Sequence, residues 1–278
     1  MGEKKNKKYS EKLSYKIPVL NERDIRLLKS INDFVCVRSI DVAILAGFGS
    51  ISYVNKRLLQ FERAGYLRSD YLLNEKIYTI TGEGCKQIGE KGLNYDFNSQ
   101  TRHYLYTVRV ASIYFANYKE IKMESIIADR HIKRLLTMEK GVAFGKISKS
   151  EIIKKHRPDF ILRQNAFEIE LTFKKYSDLK NNMKSNAEQF EGQVWIYPEA
   201  LPNLRNNIRK AKEELKLNNV AIISYERVNR ELKNINLKLL ADNYDNRTLL
   251  ERWEPILPEV NNLEDKLRKY RGDDYAGN

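Results

Sequence analysis

The sequence predicts a mixed α/β protein of the α+β kind, in which a helical unit with a β hairpin precedes a unit built on one mixed sheet. Helical periodicity from residue 21 is followed by two short β segments. From residue 101 the elements follow the order α-β-β-β-α-β. The 278 residues, 42% of them apolar, suffice for two domains with separate cores. We expect a basic flexible arm, two domains and a charged C-terminal tail, over 1–18, 19–95, 101–243 and 244–278.

Composition narrows the classes of function. Lys and Arg total 50 against 37 Asp and Glu, so the net charge of +13 favours a nucleic acid partner. A basic protein without such a partner is the alternative. No apolar run approaches the ~20 residues of a membrane helix, and no secretory signal is present, so we expect no membrane insertion. The two cysteines, Cys36 and Cys85, form no CxxC pair, which disfavours a disulfide scaffold or zinc finger and favours the cytoplasm.

The N-terminal pattern predicts three helices and a hairpin. Asn21 is a capping residue before a periodic apolar stripe, and Ser39 is a second candidate cap for a helix that stops at Gly47. A third helix is predicted from Ile51, and a polar turn at Asn74 joins the two β segments. This order is typical of a winged helix, whose third helix enters the major groove of double-stranded DNA. A winged helix used for protein contacts is the alternative.

The third helix supplies most of the predicted DNA-binding side chains. Asn, Lys and Arg are residues that contact base edges and phosphates. Those expected on its exposed face are Ser52, Tyr53, Asn55, Lys56 and Arg57. The residues expected to face the core are Val54, Leu58, Leu59 and Phe61. On the hairpin, Lys76 is a further candidate for DNA contact.

Carboxylates in the second half form the predicted active site. A strand is predicted over residues 166–173, where alternation places Glu168, Glu170, Thr172 and Lys174 on one face. Asp159 precedes it across a hairpin and can reach that face. Clustered carboxylates repel one another unless a cation offsets the charge. Oxygen ligands suit Mg2+ or Mn2+, so we expect a metal site, although a charged edge strand without chemistry is the alternative.

Each of these side chains has an expected role. Asp159 and Glu168 would hold the ion, which would polarise a phosphodiester and activate water. Glu170 is a further ligand or a base, and Lys174 offsets charge on the phosphate. Beside Asp159, the neighbouring His156 and Arg157 are candidate phosphate contacts.

The pair Pro158-Asp159 and the run Glu168-Ile169-Glu170 resemble the motif of the PD-(D/E)XK nuclease superfamily, with Glu170 where that family usually has Lys. Lys174 or Lys175 is a candidate for a migrated lysine. The layout over about 21–225 resembles the replication-relaxation family of mobile elements in low-GC Gram-positive bacteria. Within it, the pattern is similar to the MOBC class of plasmid relaxases. The resemblance implies an N-terminal winged helix joined to a restriction-endonuclease-like domain that nicks one strand.

The resulting hypothesis is a metal-dependent endonuclease, or relaxase, that nicks origin-of-transfer DNA of a plasmid or integrative element for conjugation or mobilisation. Its partners would be double-stranded DNA, the single-stranded product and a coupling or accessory protein. A relaxase with a His-x-His site is excluded, because no two of His103, His131 and His156 lie within three residues. We expect His103 at the surface or at a helix end. A non-catalytic replication or transfer regulator and a restriction endonuclease are the alternatives.

Overall fold

The computed structural model describes residues 20–72, 74–90, 100–117, 126–129 and 156–251, with side chains of the last helix up to residue 244. Several predicted segments lie wholly or largely outside these residues, namely the arm over 1–18, the linker over 93–100, a loop or hairpin over 137–156 and the tail over 244–278. The described part is a mixed α/β structure with two sheets, one of three strands and one of five. Within it, no helix is long and apolar enough to cross a membrane.

The N-terminal unit alternates helices with short strands. Its elements are α1 Glu22–Phe34, β1 Val37–Arg38, α2 Ser39–Leu45, α3 Ile51–Arg63, β2 Leu67–Leu72, β3 Glu75–Ile80 and α4 Gly82–Gln87. The three strands are antiparallel, and β3 lies between β1 and β2. The three helices and the hairpin follow the predicted order, but the short strand β1 between α1 and α2 was not predicted.

Local capping explains where the first helices begin and end. The Asn21 side chain accepts a hydrogen bond from the Asp24 backbone, and the Asp24 side chain accepts one from the Asn21 backbone, forming a capping box. Ser39 is the first residue of α2 and not its cap, because Arg38 holds the extended capping position. Beyond α3, Gly65 takes a φ of 79°, a left-handed conformation that ends the helix.

The second unit contains one long helix and the five-stranded sheet. Its elements are α5 Thr101–Asn117, β4 Ile126–Ala128, β5 Phe160–Leu162, β6 Asn165–Ile169, α6 Tyr176–Ala187, β7 Gly192–Tyr197, α7 Pro202–Glu214, β8 Val220–Ser224, α8 Tyr225–Arg230 and α9 Leu237–Glu251. A 3-10 turn, Glu231–Asn234, joins the last two helices. The strands lie in the order β4-β5-β6-β7-β8, with antiparallel pairs up to β6 and parallel pairs after it. Helices α6 and α7 make the connections between the parallel strands, as parallel pairing requires.

Helices cover both faces of this sheet. Phe167, Ile169 and Ile196 belong to the larger apolar core, which also contains the buried side of α5. Trp195 and Tyr197 point to the other face, where they pack with apolar side chains of α6 and α7. Successive side chains of each strand point to opposite faces of the sheet, so each face has its own apolar core. The side chains of β6 that do not face α5 therefore lie under α6.

The two predicted domains share a core. Buried side chains of α1 to α3 belong to the same apolar cluster as those of α5 and the sheet. The fully buried Asp41 of α2 forms an ion pair with Arg109 of α5, and the Tyr244 hydroxyl donates to the Leu45 carbonyl at 2.9 Å. In the described residues, one apolar cluster is therefore continuous between the two units. The chain is long enough for two cores, but α5 has buried side chains on more than one face and contacts both α2 and the sheet.

Strand β6 is shorter than predicted. It ends at Ile169, so Thr172 and Lys174 do not continue the strand face that carries Glu168. The backbone of Glu170 still donates to the Ile196 carbonyl at 2.8 Å, which holds this residue beside β7. Alternation of residue types continues past the last paired residue, and the sequence pattern alone does not mark where pairing stops.

Candidate active site

Asp159, Glu168 and Glu170 form what we call the acidic centre. Because β5 and β6 are antiparallel, the residue before β5 meets the end of β6. The Asp159 backbone donates to the Phe167 carbonyl at 3.0 Å, and the Asp159 Oδ2 accepts from the Ile169 backbone at 2.7 Å. The Asp159 carboxylate is thus fixed at the end of β6, on the predicted side of the hairpin.

Glu168 lies inside the structure, under α6. Its side chain is on the strand face opposite Phe167, and the residue is 2% exposed. The Asn186 amide donates to Glu168 Oε1 at 2.7 Å, and the His156 ring nitrogen bonds to the same oxygen. A buried carboxylate needs such partners, because desolvation of an unpaired charge is costly.

Glu170 is the member of the centre whose ionisation is most perturbed. It is also 2% exposed, and burial raises its pKa to about 7. The Lys174 ammonium, 2.5 Å from Glu170 Oε1, opposes this rise, whereas the charges of Glu168 and Asp159 add to it. The three carboxylates therefore lie close enough to influence one another. A carboxyl group with a pKa near 7 can exchange a proton at neutral pH.

His103 belongs to this site: it lies at a helix end, as sequence reasoning expected, and from the first turn of α5 it reaches Asp159. Its Nε2 lies 2.7 Å from Asp159 Oδ1. Burial opposes the positive charge on His103, but the charge and hydrogen bond of Asp159 outweigh burial and raise the pKa of the imidazole. Conversely, burial disfavours the Asp159 anion, but His103 keeps the pKa of Asp159 below its usual value. The available signal was that α5 immediately precedes the sheet, so its first turn can reach an edge.

A cavity of about 320 Å³ opens beside the acidic centre. It lies between the end of α1, the first turns of α5 and the edge strand β4, and its lining includes His103, Asp129 and Asp159. Asp129 is also the acceptor for Arg157, whose Nε lies 3.0 Å from Asp129 Oδ1. Asp159 is therefore accessible from this cavity, while Glu168 is not.

The carboxylate oxygens of the acidic centre are ligands that a hard divalent cation prefers, but they are not arranged around a common point where such an ion would bind. The negative charges of Glu168 and Asp159 help to raise the pKa of Glu170, and a bound cation would offset the repulsion between the three carboxylates. In the described residues, however, no group of three or more His, Cys, Asp or Glu side chains is arranged to hold a metal ion. Asp159, Glu168 and Glu170 instead contact His103, His156 and Lys174, respectively. Metal binding would require the carboxylates to exchange these partners for the ion.

The third helix presents four of its five expected residues to solvent. Those exposed are Ser52, Tyr53, Asn55 and Lys56. Arg57 is instead 7% exposed and forms a bidentate ion pair with Asp24. It lies on the same helical stripe as Val54, Leu58 and Phe61, which all face the core. Leu59, predicted to be buried, is 39% exposed.

Carboxylates also occupy the remaining basic candidates. Lys76 Nζ, on β3, lies 2.8 Å from Glu62 Oε2, on α3, and both side chains are partly buried. His156 contacts Glu168 and Arg157 contacts Asp129. These side chains are therefore not free phosphate ligands in this conformation.

Comparison with family models gives no match for this chain, and comparison with curated proteins gives no significant match. The resemblance to the PD-(D/E)XK nucleases and to the replication-relaxation family therefore stays a prediction.

Proposed function

We propose that the chain is a metal-dependent, site-specific DNA nicking protein of a plasmid or integrative element. The observation that carries the proposal is the acidic centre: three neighbouring carboxylates, two of them almost fully buried, in a protein of net charge +13. Carboxylates kept together against their repulsion indicate a chemical role more strongly than exposed ones do. The substrate would be origin-of-transfer DNA, processed in the cytoplasm together with a coupling or accessory protein.

The topology supports a division of labour between the two units. The order helix, strand, helix, helix, hairpin, with the sheet order β1-β3-β2, is that expected of a winged helix. The exposed Asn55 and Lys56 on α3 would contact DNA bases and phosphates. In the second unit, α5, β4, β5, β6, α6 and β7 follow the α-β-β-β-α-β order expected of a PD-(D/E)XK nuclease, with the acidic residues at one end of the β5–β6 hairpin.

The residues of the centre have distinct chemical roles in this proposal. Asp159 and Glu168 would hold Mg2+ or Mn2+, which when bound polarises a phosphodiester oxygen and acidifies water. Glu170, whose pKa is about 7 without a metal ion, would be either a further ligand or the base that accepts a proton from the attacking water. Lys174 would offset negative charge that develops on the phosphate. His103 keeps Asp159 ionised and orients its carboxylate.

Cutting of supercoiled DNA tests the proposal directly. The purified full chain, incubated with Mn2+ and a supercoiled plasmid that carries the transfer origin of its own element, should give nicked circles. Asp159→Asn and Glu170→Gln should reduce the nicking rate by about 100-fold or more, as removal of a metal ligand or general base does. DNA affinity, measured by gel shift, should change by less than about threefold.

The matched control is Glu83→Gln, which removes an exposed carboxylate on α4, in the other unit. It should nick at the wild-type rate. If the wild-type protein binds the plasmid but gives no nicked product, or if Asp159→Asn nicks normally, the nuclease proposal is wrong.

A non-catalytic DNA-binding regulator is the second candidate. It is favoured by the basic side chains that already contact each carboxylate of the centre, since an ion-paired cluster is stable without a metal. Calorimetric titration with Mn2+ separates the two functions. The nuclease should bind Mn2+ in a manner that Asp159→Asn abolishes, whereas the regulator should bind DNA and no Mn2+ at this site.

A further inference from the structure

Phe173 is an exposed aromatic side chain beside the acidic centre. It is 55% exposed, whereas every other phenylalanine in the described part of the chain is at most 6% exposed. It follows Glu170 by three residues in the segment between β6 and α6, which we call the 171–175 segment. Because β6 ends at Ile169, Phe173 lies beyond the strand and does not pack into the core. The fold therefore leaves one large aromatic ring in solvent at this position.

The 171–175 segment is tethered to the acidic centre. The Lys174 ammonium donates to Glu170 Oε1 at 2.5 Å, directly after Phe173 in sequence. Three residues of fully extended chain span about 10 Å, so the Phe173 backbone lies within roughly that distance of Glu170. If a phosphodiester were bound at the acidic centre, the Phe173 ring would therefore be within reach of a nucleotide about one or two positions away along the strand.

The neighbours of Phe173 indicate which surface would cover it. Thr172, Lys174 and Lys175 are all exposed, so the apolar area is one ring inside a polar and basic segment. A protein partner would need a broader apolar patch than a single ring. A ring beside an exposed cation suits a nucleotide instead, because its base stacks on the ring while its phosphate contacts the ammonium group of Lys175.

We propose that Phe173 stacks on an unpaired nucleobase of single-stranded DNA, next to the phosphodiester at the acidic centre. Bases inside a duplex already have both faces covered by their neighbours, so the ring discriminates for an unpaired nucleotide. The position relative to the cut rests on the proposed function, whereas stacking itself requires no cutting. The substrate class at this site is therefore a single strand or a locally melted duplex.

Binding without cutting tests stacking by itself. A 12-nucleotide single strand with one 2-aminopurine, in EDTA, reports stacking by fluorescence quenching and affinity by anisotropy. Phe173→Ala should weaken single-strand affinity roughly 5- to 100-fold, the range for loss of one base–aromatic stack, and should remove the quenching. Phe173→Trp should restore both. Affinity for a blunt duplex of the same length should change by less than about twofold in either variant.

Tyr71→Ala is the matched control, since Tyr71 is 69% exposed on the β2–β3 hairpin and not in the 171–175 segment. It should leave single-strand affinity and quenching unchanged, and thermal unfolding should show that both alanine variants fold. The inference is overturned if Phe173→Ala binds and quenches like the wild type, or if both alanine variants lose the same affinity. If the wild-type protein nicks DNA but shows no quenching that depends on Phe173, this inference alone is refuted. If it shows that quenching but never nicks DNA, the proposed function alone is refuted.

Discussion

Replacement of Arg57 by Ala should destabilise the fold and not merely weaken DNA binding. Arg57 Nε lies 2.7 Å from Asp24 Oδ1, and a second guanidinium nitrogen lies 2.5 Å from Asp24 Oδ2. The two side chains are 8% and 2% exposed, and the Arg57 guanidinium also lies 4.8 Å from the centre of the Phe61 ring. The pair joins α1 to α3, whose buried apolar side chains belong to the same core cluster.

The expected loss in the free energy of unfolding depends on the buried charge that remains after the substitution. Arg57→Ala leaves the Asp24 carboxylate buried without its partner, and removal of one member of a buried ion pair typically costs about 3–5 kcal/mol. In a chain of this size, each kcal/mol corresponds to roughly 2–4 °C in Tm, so we expect a fall on the order of 10 °C. The two hydrogen bonds of the capping box, one accepted by the Asp24 carboxylate and one donated by the Asp24 backbone, do not involve Arg57 and remain.

Urea denaturation followed by circular dichroism measures this free energy, and Lys56→Ala is the control. Lys56 is the exposed neighbour of Arg57, so its removal should change the free energy of unfolding by less than about 0.5 kcal/mol while weakening DNA binding. The double variant Asp24→Leu with Arg57→Met should recover most of the loss, since no buried charge remains. If Arg57→Ala keeps full stability and lowers only DNA affinity, then Arg57 acts at the surface and the ion pair is not structural.

Three further predictions concern other parts of the fold. The Glu170 pKa rises from 4.5 to about 7 on folding, so the folded state binds more protons than the unfolded state between these pH values, and the free energy of unfolding falls as pH rises through them. In urea titrations from pH 4.5 to 8, the wild type should therefore lose on the order of 3 kcal/mol relative to Glu170→Gln. Gly84→Ala would place a Cβ 2.3 Å from the Tyr66 carbonyl oxygen and should cost about 1–3 kcal/mol in a denaturation assay, whereas Gly82→Ala meets no atom within 4 Å and should cost less. Tyr244→Phe removes the hydroxyl bond from α9 to the end of α2 and should lower the unfolding free energy by about 1 kcal/mol, while an unchanged value would mean that α9 does not hold α2.

Local sequence signals predicted much of the N-terminal unit. The capping residue Asn21, the spacing of apolar residues in α1 and α3 and the turn at Asn74 all act over a few residues, so each can be recognised without the rest of the chain. The same rule of helical spacing places Arg57 on the buried stripe. Its charge favoured the exposed face, but the carboxylate that makes burial possible lies 33 residues earlier in the chain.

The candidate site was predicted only where one hairpin generates it. Asp159 and Glu168 lie on adjacent antiparallel strands, so a tight turn and alternation are enough to bring their backbones together. His103 lies 56 residues before Asp159 and meets it only because α5 packs across the sheet. Phe173 is exposed because the pairing of β6 with β7 ends at Ile169, and the position of that end depends on β7, a strand more than 20 residues later in the chain.

The sequence by itself determined most of the order of helices and strands, the cap at Asn21 and the acidic hairpin, because these follow from interactions between residues close along the chain. Only the tertiary structure decided that both units share a core, that Arg57 is an internal ion pair and that His103 contacts Asp159. It also decided that Glu170 holds its proton up to a pH of about 7. Burial and the pairing of charges depend on what lies nearby in space, and that is set by packing between segments distant in sequence.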